Sequence, residues 1–152
     1  PAPDSLFAIA ALPAQVISQR PDVHRGWLEA ELDAQLFLAD FNNASEVAAL
    51  AASQTEAIDK KVLWSSLYGE TPAKQGGGDV KVQLDFVVTD RVQGLLDNAT
   101  AYLYSLPKKP AAAAKIREGG VMDGVAQEIL KARGLTSPIG VVKARPISDY
   151  KE

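Results

Sequence analysis

The 152 residues contain no cysteine and a single histidine, His24, so neither a disulfide framework nor a Cys/His zinc site can fasten the fold. Burial of apolar side chains must hold it together. A chain of this length can do that within one domain, and 47% apolar against 23% charged residues is an ordinary globular balance. The 24 alanines add strong helix formers wherever an apolar stripe runs.

The stripes are long. From Pro21-Asp22, where aspartate can cap exposed amides, Val23, Trp27, Leu28, Leu32, Leu36 and Ala39 recur at three- and four-residue spacing. That predicts a helix over 22–40, ending at Asp40-Phe41-Asn42. Asn43 with Glu46 resembles a capping pair and opens a second helix over 43–68. Its stripe runs Val47, Leu50, Ala51, Gln54, Ile58, Val62 and Ser65, with Trp64, Leu67 and Tyr68 widening the face, and Gly69 ends it. The stripes around Leu28/Leu32/Leu36 and Leu50/Ile58/Val62 are expected to face one another.

Residues 79–106 fit two templates. Val80, Val82, Leu84, Phe86 and Val88 alternate with polar residues as in a strand, yet Val80, Leu84, Val88, Val92, Leu95, Ala99, Tyr102 and Leu103 form a helical stripe. The helix explains the longer stretch and is preferred. A fourth helix over 110–133 starts at Pro110 and stops at Gly134, with Gly119-Gly120 as a break. The expected fold is mainly α: a four-helix-bundle-like single domain at 21–134, with an N-terminal arm 1–20 and a C-terminal tail 135–152. The alternative is α+β with a strand at 80–88. A short strand over Ile139–Val142 is allowed within the tail. The arm, the loop 69–78 and the tail are proline- or glycine-rich and gain little from local packing, so they are expected to be mobile or ordered by a partner.

The stretch Leu12–Val23, LPAQVISQRPDV, resembles a segment of outer-membrane efflux factors. It covers 12 of 152 residues, and the repeated long-helix pattern of that family does not follow, so no role is carried over from it.

Chemistry is constrained by the same absences. One imidazole cannot form a His–His metal pair, an H-E-x-x-H site or a di-iron site. No G-x-S-x-G elbow accompanies His24, which is read as a surface or capping residue. Glu29 and Asp33, one turn apart, are read as a solvated face. Gly76-Gly77-Gly78 is followed by Asp79 where a phosphate loop needs lysine, so the loop is read as a flexible connector. The sequons Asn43-Ala44-Ser45 and Asn98-Ala99-Thr100 are read as chance matches. No catalytic residue, metal or cofactor is assigned.

Charge is the remaining signal. Residues 1–104 carry 7 basic and 14 acidic side chains, and residues 105–152 carry 9 basic and 5 acidic. Such a layout favours oriented docking on a protein partner, and no Lys/Arg stripe interleaved with aromatics points to nucleic acid. The expectation is a non-catalytic accessory subunit of a larger assembly, architecturally analogous to extrinsic helical subunits of photosynthetic or respiratory complexes. Its candidate partner-binding residues are Lys108, Lys109, Lys143 and Arg145, with Leu6 and Phe7 as an apolar anchor. No run of about 18 apolar residues is present to span a membrane, though attachment at a membrane complex is compatible with the pattern. The start at Pro1 fits methionine removal or cleavage of a targeting segment, the latter favouring an organellar or envelope compartment such as the thylakoid lumen. The alternatives are a helical protein binding a hydrophobic ligand or pigment, and a small carboxylate-dependent enzyme.

Overall fold

The computed structural model describes residues 12–55, 58–106 and 119–152. The chain is mainly helical: α1 (Ala14–Gln19), α2 (Pro21–Ala39), α3 (Ala44–Ser53), α4 (Lys60–Tyr68), α5 (Asp90–Ser105) and α6 (Gly124–Ala132). One two-stranded antiparallel sheet, β1 (Val80–Leu84) and β2 (Gly140–Lys143), accompanies them. No helix among the described residues is long and apolar enough to cross a membrane. The described residues divide into two compact units, one of 26–55, 58–84 and 138–152, the other of 12–25, 85–106 and 119–137.

α2 starts and ends close to where its stripe does. Asp22 stands in its first turn, and a hydrogen bond from Arg20 holds the Asp22 carboxyl below its ordinary range. After Ala39, the Asp40 carboxylate accepts from the Asn42 amide and opens a single 3-10 turn, Phe41–Asn43. α3 then begins at Ala44, but Asn43 makes no cap hydrogen bond. Its amide instead donates to the Phe37 carbonyl at 3.0 Å.

The expected long helix over 43–68 is two helices. The second starts where Asp59 accepts from the Lys61 amide at 2.7 Å, an N-cap worth about 1 kcal/mol. That break changes the buried face. Leu50, Ile58 and Val62 are 56%, 44% and 59% exposed, so the expected pairing with Leu28, Leu32 and Leu36 does not form. The core of this unit is Ala44, Ala48, Trp64, Tyr68 and Val142, with Leu38, Phe41, Val47, Leu67 and Tyr150 packed against it. The alanines let α3 approach the aromatic face of α4. Trp64 is fully buried, meeting Phe41 at 6.2 Å, Tyr68 at 6.1 Å and Tyr150 at 5.7 Å between ring centroids.

Residues 79–106 are corrected as well. Strict alternation wins over Val80–Leu84, and the helix begins only at Asp90, where the Thr89 hydroxyl accepts from the Val92 amide. Tertiary pairing decides this: β1 has a partner in β2, with Val82 opposite Val142 and Leu84 opposite Gly140. The expected tail is therefore the second strand of a sheet, ordered by internal contacts. A Cβ at Gly140 would lie 3.1 Å from the Ala39 Cβ, a tight contact that glycine avoids.

In the other unit Leu96, Ala126, Ile129 and Leu130 are buried, and so is His24, against the expectation of a surface position. The Asp123 carboxylate accepts from the Val88 amide and from Gln127 ahead of α6. α6 stops as its sequence implies. Gly134 takes φ +65°, while the Leu135 amide donates to Leu130 and the Gly134 amide to Lys131. Of the expected fourth helix over 110–133, this last part is present, and 107–118 lie outside the described residues.

Candidate partner-binding groove

α4 ends at Gly69 with extended backbone, φ −69° and ψ 147°. A side chain at Gly69 would fall 2.5 Å from the Ser65 carbonyl, which explains glycine there without a positive φ. The chain then runs beside the C-terminal stretch: the Arg145 amide donates to Tyr68 at 2.7 Å and the Glu70 amide to Arg145 at 3.0 Å. Residues 70–79 fold back through a 3-10 turn at Ala73–Gln75 and a left-handed Gly76 at φ +87°. Gly77 passes so close to the Thr71 carbonyl that any side chain would collide with it. The Asp79 carbonyl accepts from Ala144, handing the chain into β1.

β1 carries one extra residue between Val80 and Val82, a bulge at Lys81. Bulges re-aim side chains and blunt sheet edges. Lys81 uses its own to donate to the Thr71 hydroxyl at 3.1 Å, tying the loop down. The loop expected to be a free connector is thus pinned at Gly69, Thr71 and Asp79.

Between this loop and the end of β2 lies an open groove of about 690 Å³, walled by Glu70, Thr71, Gly77, Gly78, Lys143 and Arg145 among others. Asp79 and Val80 close one end. Two of the residues read from the sequence as partner-binding therefore meet here. Lys143 is exposed, opposite Val80. Arg145 is half-buried, its guanidinium 4.6 Å from the centroid of the Phe41 ring. Its Nε is buried and finds no acceptor among the described residues, a situation that costs roughly 1–3 kcal/mol. Among the described residues Arg145 forms no ion pair, although Glu70 and Asp79 line the same groove. Lys108, Lys109, Leu6 and Phe7 lie outside the described residues.

Glu70, Thr71, Lys81 and Phe41 were not singled out by the sequence. Glu70 and Thr71 acquire a role only when the loop folds against residues far along the chain. Lys81 depends on a bulge that alternation alone does not encode. Below the groove, burial pushes the Tyr68 phenol above its ordinary pKa, and its hydroxyl donates to the Leu38 carbonyl at 3.0 Å. Among the described residues no group of three His, Asp or Glu side chains could hold a metal ion. The first sequon is occupied structurally by the Asn43–Phe37 hydrogen bond, and the second lies on α5. Comparison with known protein families, curated proteins and solved structures finds no match.

Proposed function

We propose that the protein is a non-catalytic docking module, an accessory piece of a larger protein assembly, which engages its partner through the groove beside Lys143 and Arg145. The observation that carries this reading is the convergence of two bases, both from the C-terminal stretch, on one open surface. The charge layout of the sequence supports it: residues 105–152 carry 9 basic and 5 acidic side chains, an excess that favours an acidic partner.

Size-exclusion of native extract tests it. The chain is expected to co-migrate with a complex well above its own 16.2 kDa, and Lys143→Glu, an exposed position, to shift it toward the free fraction. Catalytic turnover by the purified chain, or migration only as free protein, would overturn the reading.

A further inference from the structure

We propose that Arg145 anchors the partner by taking a single carboxylate from an extended segment laid in the groove. This rests on the docking reading and names the chemistry that the groove selects.

A half-buried arginine inside a protein commonly fills its fork with a carboxylate. Arg145 does not. Its guanidinium is packed on the Phe41 ring, which fixes the plane, and its Nε is buried without an acceptor. Neither Glu70 nor Asp79 pairs with it, although both wall the groove. The contact with Phe41 accounts for a cation at this position but leaves the fork without a carboxylate. A ligand oxyanion at the Nη edge would fill it. Because the fork is already held, less side-chain freedom is lost on binding.

The rest of the groove narrows the ligand. Gly78, where a Cβ would meet nothing within 4 Å, leaves part of one wall bare, so a main chain can lie close. Glu70 and Asp79 repel a second negative charge, which disfavours a run of acids and a dianionic phosphate more than one isolated carboxylate. Lys143, exposed on the same groove, adds attraction at its rim.

The test is NMR titration of the intact chain with a capped peptide bearing one glutamate among glycines, with the glutamine peptide and inorganic phosphate in parallel. We expect the Arg145 Nε–Hε resonance to move with the glutamate peptide and to move far less with the other two. Arg145→Met is expected to leave thermal stability unchanged or raised while weakening the peptide at least tenfold, and Arg145→Lys to restore only part of the affinity. Equal responses to glutamate and glutamine peptides would overturn the proposal. So would a response to phosphate alone, or undiminished binding by Arg145→Met. If Arg145→Met destabilised the fold instead, the titration of the unaltered chain would still decide. Native co-migration that survives Arg145→Met would sink this inference while leaving the docking reading standing; loss of co-migration in every form would sink the docking reading itself.

Discussion

Trp64 on α4 and Tyr150 near the C-terminus meet edge to face, their ring centroids 5.7 Å apart. The contact joins the C-terminal stretch to the centre of a core built from α3, α4 and Val142 of β2. Lys61 adds a cation 5.9 Å from the same Tyr150 ring, and the Ser45 hydroxyl donates to the Lys151 carbonyl at 2.9 Å.

The C-terminal stretch should therefore behave as core. Trp64→Ala is expected to cost about 3–5 kcal/mol. Tyr150→Ala should lose at least the roughly 0.5–1.5 kcal/mol of the aromatic pair, with additional lost burial. Urea unfolding of both variants and of the double variant checks this. Strictly additive losses would show that the two rings do not interact.

The outward face of the α3–α4 pair makes the opposite case. Leu50→Ser and Val62→Ser remove apolar side chains that are already more than half exposed. Each should change stability by no more than about 0.5 kcal/mol. A loss of several kcal/mol in thermal unfolding would mean that the side through Leu50 and Val62, and not only that of Trp64 and Tyr68, is buried.

Tyr68 makes stability depend on alkaline pH. Its pKa is raised by burial, so the folded state holds the phenolic proton more tightly than the unfolded chain does. The stabilisation is fully present below the unfolded value of about 10 and is lost as pH rises through that value toward the folded one. Denaturant midpoints should fall across this window. Tyr68→Phe should be less stable by about 1 kcal/mol near neutral pH, having lost the bond to Leu38, and should lack this portion of the alkaline fall.

Association should be sensitive to salt. Charges at the rim of a groove act mainly on encounter rate and are screened over about 8 Å at physiological ionic strength. Lys143→Glu should slow association with the native assembly severalfold while leaving the melting temperature within error. Unchanged association kinetics at low and high salt would remove the rim charge from the docking mechanism.

Local rules placed much of the framework. The stripe of α2 and its stop before Asp40, the α6 terminus at Gly134 and the helical character of the chain depend on contacts within a few residues. Tertiary structure decided what local rules leave balanced. Val80–Leu84 satisfied both periodicities, and only the presence of Gly140–Lys143 beside it made the strand the lower state, since a lone strand leaves its ladder unpaired. Asp59 could serve as a helix interior residue or as a cap, and the choice turned Trp64 and Tyr68 inward while leaving Val62 exposed. The groove follows the same logic. Lys143 and Arg145 were legible as basic residues, but their meeting with Glu70, Thr71 and Phe41 required a loop and a tail distant in sequence to close on each other.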